Sequence, residues 1–192
     1  MRKLCSILIK SIFFFTFYCI FLHECNSQSI LPSNISNLQL WLKADSNITL
    51  NGNNVSQWND CSGNGNNVTQ SNSSYQPFFA NSISYLNNKP VIRFNGSDDW
   101  ISGSFNSTFS QPNTIFIVWT NQNTSSQEEL FSGTDINHRH QVDINGLGNQ
   151  YISLFAGAWN ASYLGKTAPY SIISSFIFNG TSSKIFENGA LK

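Results

Sequence analysis

The chain has 192 residues, a formal net charge of zero and only 10% charged residues. This length suits a single domain with a real hydrophobic core rather than two domains. No basic run occurs beyond the N-terminal segment, which argues against nucleic acid and anionic lipid as partners, because both are bound mainly through clustered Lys and Arg.

The N-terminal segment predicts a secretory signal peptide over residues 1–27. Arg2, Lys3 and Lys10 are basic, residues 12–22 are an apolar run, and short side chains precede a cut after Ser27. An uncleaved membrane anchor is the alternative, but the apolar run is well short of the ~20 residues that a spanning helix needs. We therefore expect a secreted or cell-surface protein without a membrane span after cleavage.

After a short lead-in at 28–37, residues 38–192 predict one all-β domain. This part of the chain lacks a helical period and shows short apolar runs, which turn residues separate at intervals of about ten residues. Residues 115–119 are apolar at every position, which predicts a central strand covered on both faces. The predicted strands are 38–44, 55–58, 67–70, 90–95, 100–102, 114–120, 129–132, 140–144, 151–155, 170–179 and 184–187.

Two features near the ends of this domain carry further predictions. Residues 184–192 read as a strand, an Asn-Gly turn and the start of a returning strand. A sandwich that stopped there would leave an open edge, so the domain is predicted to be incomplete at its C-terminus. Cys61 is the only cysteine after the signal peptide, so no internal disulfide is expected.

The most specific pattern lies in four segments: LWLKAD at 40–45, WND at 58–60, SGNG at 62–65 and KPVIRFNGSDDW at 89–100. Together they resemble the laminin-G-like jelly-roll domains of the concanavalin A-like lectin/glucanase superfamily, which occur in secreted proteins. The resemblance implies a two-sheet antiparallel jelly-roll sandwich. It departs from the family pattern at Cys61, where a polar or charged residue is usual, and at Asn95, where Asp is common. That fold serves lectins, hydrolases, adhesins and spacers, so it implies no single function.

Loop carboxylates and amides make Asp60, Asn64, Asp98 and Asp99 candidate ligands of a structural calcium ion. Calcium takes several oxygen ligands, commonly from loops, and the resemblance is compatible with such an ion. The alternative, which we prefer, is that Asp60 and Asp98 hydrogen-bond the backbone of their own loops as Asx turns. No other cofactor is expected.

The sequence predicts no catalytic residues. A retaining glycoside hydrolase needs two carboxylates about 5–5.5 Å apart, yet the neighbours Glu128 and Glu129 would point to opposite faces of a strand. The remaining Glu of the domain, Glu187, precedes a tight turn. His138 and His140 would share a face, but the sequence supplies no clear third metal ligand, so they are read as an exposed hairpin end.

Aromatic residues beside polar loops predict a ligand site. Sugars stack on exposed aromatic rings next to hydrogen-bonding side chains, and Trp159, Tyr163 and Trp100 lie in such surroundings. The alternative is that every Trp packs in the core. The leading hypothesis is a secreted, non-catalytic recognition module for a glycan or another extracellular surface ligand, as part of a larger protein. A polysaccharide-active jelly-roll enzyme, either a glycoside hydrolase or a lyase, and a purely structural spacer are the alternatives.

Overall fold

The computed structural model describes residues 31–106, 108–122, 128–133, 140–145, 151–165 and 168–192. The chain divides into two compact units, residues 1–38 and 39–192. The described part of the first unit contains a short 3-10 turn, Pro32–Asn34, whose first position is proline. The Asn34 side chain accepts a hydrogen bond from the Leu31 amide at 3.1 Å, which closes this turn.

The second unit is all-β, as predicted. Its strands are β1 (Ile48–Asn51), β2 (Asn54–Trp58), β3 (Val68–Thr69), β4 (Phe78–Ile83), β5 (Lys89–Arg93), β6 (Asn113–Asn121), β7 (Glu128–Ser132), β8 (His140–Asn145), β9 (Tyr151–Ala156), β10 (Trp159–Leu164), β11 (Tyr170–Phe178), β12 (Lys184–Glu187) and β13 (Ala190–Leu191). Two further 3-10 turns, Ser73–Tyr75 and Ser84–Leu86, flank β4. No helix among the described residues is long and apolar enough to cross a membrane.

The strands form three antiparallel sheets, whereas the sequence predicted two. In the first sheet the order is β1-β2-β4-β5, with β3 also pairing with β2. The second sheet has the order β10-β9-β8-β7, and the third has the order β13-β12-β11-β6. The four strands of the second sheet lie side by side in the same order as they follow one another along the chain, so this sheet is a simple meander.

The main core lies between the second and third sheets. On β9 and β11 every other side chain is buried, because successive residues of a strand point to opposite faces. These buried side chains form one cluster with Trp119, Phe131 and Tyr163 packed against it: Val142, Ile152, Leu154, Ala156, Phe176, Phe178 and Ile185. The second sheet therefore has one face in the core and one face directed away from it.

The predicted strand at 38–44 is wrong. The structure places this segment in irregular backbone and a turn. Its backbone binds the neighbouring loop instead of a strand, since the Trp41 amide donates to Asp60 Oδ1 at 2.9 Å and the Trp41 carbonyl accepts from the Cys61 amide at 2.7 Å. The apolar residues of this segment alternate as they do in a strand. The Trp41 amide nevertheless donates to a side chain and not to a neighbouring strand, so no strand ladder forms here.

The prediction that residues 115–119 form a central strand is also wrong. Among the described strands β6 pairs only with β11, so it is an edge strand of the third sheet. Its inward side chains Ile115 and Trp119 pack against the core cluster. Phe116 and Val118 point the other way and are 68% and 79% exposed. An apolar run shows that both faces are hydrophobic, but it does not show that both are covered.

Candidate ligand-binding face

The outward face of the second sheet carries a row of polar side chains across four strands. Asp143 on β8 lies directly opposite Glu129 on β7 and Ser153 on β9. Ser153 in turn lies opposite Ser162 on β10. Directly opposite residues have Cβ atoms about 4.5–5.5 Å apart, so these four side chains form a continuous polar strip.

Gln141 holds the two acidic residues of this strip together. Its side-chain nitrogen donates to Glu129 Oε1 at 2.9 Å and also to Asp143 Oδ1. One shared donor keeps the two carboxylate oxygens within roughly 6 Å of each other and offsets the repulsion of directly opposed like charges. Gln141 is only 2% exposed, and its Oε1 atom accepts no hydrogen bond from the described residues. The acidic pair is thus held by a buried amide.

Aromatic side chains flank the polar strip. Trp159 lies opposite Phe155, and their rings meet edge to face with centroids 5.3 Å apart. The indole is 55% exposed, and Tyr151, at the other end of β9, also keeps much of its ring in solvent. The hairpin that presents Trp159 turns at Gly157, whose φ of +87° is a conformation that glycine adopts without steric cost.

These residues together form a face with hydrogen-bonding groups at its centre, of which Gln141 and Asp143 are buried, and aromatic rings at both ends. We call it the polar–aromatic face. It comprises Glu129, Gln141, Asp143, Tyr151, Ser153, Phe155, Trp159 and Ser162.

Tyr163, predicted to bind ligand together with Trp159, lies on the opposite face of the sheet. The register of β10 shifts between Trp159 and Ala161, which places Tyr163 opposite the buried Ile152. Its hydroxyl donates to Glu187, a buried carboxylate whose Oε2 also lies 3.3 Å from Lys192 Nζ. Burial raises the pKa of Tyr163 far above its usual value, and the hydrogen bond and negative charge of Glu187 act in the same direction.

Trp100, the third predicted ligand residue, is 50% exposed and lies beside the first sheet. Its amide donates to the Tyr75 carbonyl at 3.1 Å, and its carbonyl accepts from Gln70 Nε2 at 3.2 Å. None of the contacts between described residues joins Trp100 to Trp159. The three predicted ligand residues therefore occupy three separate surroundings, and of the three only Trp159 belongs to the polar–aromatic face.

The oxygens of the predicted calcium ligand Asp60 already accept hydrogen bonds from its own loop and from Trp41. Its oxygens accept from the Trp41 amide, the Ser62 amide and hydroxyl, and the Asn66 amide at 2.7–3.1 Å. Burial acts to raise the pKa of Asp60, but these hydrogen bonds outweigh it and lower the pKa below its usual value. Asn64 in the same loop donates to the Gln39 carbonyl at 3.2 Å. This arrangement corresponds to the Asx-turn alternative.

Asp98 and Asp99 close a different loop. Asn95 Nδ2 donates to Asp98 Oδ1 at 2.7 Å, and the Asn95 amide donates to Asp99 Oδ2 at 2.8 Å. Asn95 Oδ1 in turn accepts from the Ser97 amide at 2.8 Å. Within the described ranges, no group of three or more His, Cys, Asp or Glu could hold a metal ion.

Sequence reasoning missed the pair Glu129 and Asp143. The carboxylates compared from the sequence were the neighbours Glu128 and Glu129 on one strand, whereas Glu129 and Asp143 come from neighbouring strands whose register includes an irregularity after Glu129. The available signal was the alternation His140-Gln141-Val142-Asp143, which separates an apolar face from a polar one. His140 is on the inner side, with its ring centroid 4.5 Å from that of Phe178, rather than at an exposed hairpin end. His138 lies outside the described residues.

Comparison of the chain with protein-family models, with curated proteins and with solved structures finds no match in any of the three.

Proposed function

We propose that the protein is a secreted, non-catalytic recognition module with a laminin-G-like jelly-roll fold, and that it binds glycan through the polar–aromatic face. The observation that carries the proposal is the half-exposed Trp159 ring, braced edge-on by Phe155 beside a strip of hydrogen-bonding side chains. Sugar rings offer an apolar C–H face to an indole and hydroxyl groups to polar neighbours, so this surface matches both.

Preorganisation supports binding at this face. Phe155 fixes the orientation of Trp159, and Gln141 fixes the carboxylates, so a ligand need not order these side chains on arrival. Side chains that are already held lose little conformational entropy on binding, which favours affinity. Tyr163 and Glu187 lie outside the proposed glycan contacts. Their hydrogen bond joins the second sheet to the third.

The charge of the face narrows the ligand class. Its described side chains include the carboxylates of Glu129 and Asp143 and no Lys or Arg. The exposed Glu129 carboxylate can accept hydrogen bonds from sugar hydroxyls, whereas the negative charge of the pair repels sulfates and uronic acids. Neutral glycans are therefore the proposed ligands, in preference to acidic polysaccharides.

A glycan array followed by titration calorimetry tests the proposal. Wild-type protein should bind one or more neutral glycans, and Trp159→Ala should abolish the signal. Trp100→Ala is the matched control, because Trp100 is nearly as exposed but lies beside the first sheet. Equal loss in both variants, or no glycan signal with folded wild-type protein, would contradict glycan binding at this face and favour the spacer alternative.

The acidic pair favours one second candidate, a polysaccharide-cleaving enzyme. Two carboxylates that share one donor come close to the separation of about 5–5.5 Å used by retaining glycosidases. We prefer the non-catalytic proposal because Asp143 is buried and hydrogen-bonded to Gln141. Release of reducing sugar that disappears in Glu129→Gln, with glycan binding retained, would reverse this preference.

A further inference from the structure

Strand β6 is a long edge strand without the usual protection. It has nine residues, pairs with β11 along its whole length, and pairs with no other strand that the structure describes. Exposed edges normally carry charged residues, proline or a bulge that prevents pairing with another chain. Residues 113–121 include no charged residue and no proline, and their register with β11 is regular. This edge can accept a further strand.

The outward face beside this edge is apolar. Val118 lies opposite Ile173 on β11, and the two side chains are 79% and 53% exposed. Phe116 adds a third exposed apolar side chain on the same face of β6. A contiguous exposed apolar patch on a soluble domain commonly marks an interaction surface.

The sequence of β6 is nearly palindromic. Residues 113–121 read N-T-I-F-I-V-W-T-N, with Ile117 at the centre. Antiparallel pairing of two copies about Ile117 places Thr114 opposite Thr120, Ile115 opposite Trp119, and Phe116 opposite Val118. Each pair matches apolar with apolar or hydroxyl with hydroxyl, and no pair opposes like charges. The edge is complementary to itself.

We propose that two copies of this chain associate through β6, antiparallel about Ile117, and join their third sheets into one continuous sheet. The symmetry is that of an isologous dimer, in which the same surface of both copies forms the contact. Phe116 of one copy then packs against Val118 of the other, and the two apolar patches merge. This proposal is independent of glycan binding, because the polar–aromatic face belongs to the second sheet.

The C-terminal end of β6 limits the length of the new ladder. Asn121 is buried, and the following Gln122 donates to Tyr85 Oη at 2.6 Å and accepts from Arg93 at 3.1 Å. A partner strand has no access to the buried Asn121. The proposed pairing therefore spans residues 114–120, which keeps Ile117 at its centre.

Light scattering coupled to size-exclusion chromatography tests the association in the full-length chain expressed through a secretory host. Wild-type protein should elute with the mass of two chains across a dilution series at micromolar concentrations. Phe116→Lys/Val118→Lys should elute as a monomer, because lysines then oppose lysines across the axis. Mixing it with Phe116→Glu/Val118→Glu should restore a dimer. Monomeric wild-type protein at every concentration would overturn the proposal.

Leu191→Lys is the matched control for the mode of association. Leu191 is exposed on β13, at the opposite edge of the third sheet, so β6 pairing leaves it outside the contact. This variant should remain dimeric. Conversion to a monomer would show face-to-face packing and overturn β6 pairing. Unchanged circular dichroism of each variant confirms that the domain is folded.

Cysteine pairs test the register. In a Cys61→Ser background, a mixture of Phe116→Cys and Val118→Cys chains should form a disulfide-linked heterodimer on mild oxidation. Ile173→Cys mixed with Phe116→Cys is the control, because Ile173 lies one strand, about 4.8 Å, further from the axis than Val118. The cysteine at 173 would therefore lie two strand spacings, about 9.6 Å, from the cysteine at 116 of the other copy, which exceeds the reach of a disulfide. Equal cross-linking of both mixtures would exclude the proposed register.

Discussion

Trp159 and Tyr163 lie four residues apart on β10, yet their side chains occupy opposite faces of the second sheet. In a regular strand, residues separated by an even number share a face. The register shift between Trp159 and Ala161 adds one residue to β10 relative to β9, which reverses the facing of every later residue. Trp159 therefore meets solvent, and Tyr163 meets Glu187 in the interior.

Tyr163→Phe should destabilise the domain and leave glycan binding unchanged. The substitution removes the hydroxyl that donates to the buried Glu187 carboxylate, and a buried acceptor left without its donor costs about 1–3 kcal/mol. Urea unfolding followed by Trp fluorescence measures the loss. Tyr151→Phe is the control, because Tyr151 is 43% exposed, and should change stability by less than about 0.5 kcal/mol. Weakened glycan binding with normal stability would return Tyr163 to the list of ligand residues.

Gln141→Leu should destabilise the domain through the acidic pair. Without the shared amide donor, Glu129 and Asp143 stand opposed with no intervening hydrogen bond from Gln141, at an expected cost of about 2 kcal/mol. Asp143→Asn should be less harmful in the Gln141→Leu background than in wild type, because it removes one of the opposed charges. Denaturant unfolding of the four proteins gives the coupling free energy. Simple additivity of the two substitutions would show that the amide does not offset this repulsion.

Asp60→Asn should weaken the domain at neutral pH and lose its effect in acid. The pKa of Asp60 is lower in the folded state than the ordinary value of 3.8, so the folded carboxylate adds stability above that value. This stability is lost as the pH falls through the lower folded pKa. Thermal unfolding between neutral pH and the acid range measures the difference, with Asp45→Asn, an exposed carboxylate, as the control.

Calcium should leave the melting temperature of the wild-type domain unchanged. Both Asp60 oxygens already accept hydrogen bonds from residues near or within their own loop, and Asp98 and Asp99 bind Asn95. A ligand that binds only the folded state stabilises the protein, and this stabilisation grows with the logarithm of the ligand concentration. Scanning calorimetry with calcium and with a chelator distinguishes calcium ligands from carboxylates that only accept loop hydrogen bonds. A rise in melting temperature with calcium that Asp60→Asn abolishes would establish the ion site.

His140 should make the domain less stable as the pH falls below neutrality. Burial lowers the pKa of His140 beneath the ordinary value of 6.5, so the unfolded chain takes up this proton first. Stability is therefore greatest above 6.5 and declines as the pH falls from there towards the folded pKa. His140→Leu should flatten the stability profile over this range. A slope that survives in His140→Leu would assign the effect to another group.

The sequence by itself determined the all-β class, because short apolar runs bounded by turn residues favour strands whatever their partners. It did not assign the faces of 170–178, where Ser174 is fully buried and Ile173 is 53% exposed. Local turn chemistry was readable in part, since Asp60 accepts from the Ser62 amide as expected, whereas the Asp98 carboxylate accepts from the Asn95 side chain.

Tertiary structure alone decided what these faces meet. The bulge on β10 reversed the facing of Tyr163, the register of β7 with β8 brought Glu129 to Asp143, and the sheet order left β6 at an edge. Each of these relationships depends on which strand lies alongside and at what offset. That choice follows from the packing of the whole domain, because the free energy that selects a register comes from side chains distant in sequence.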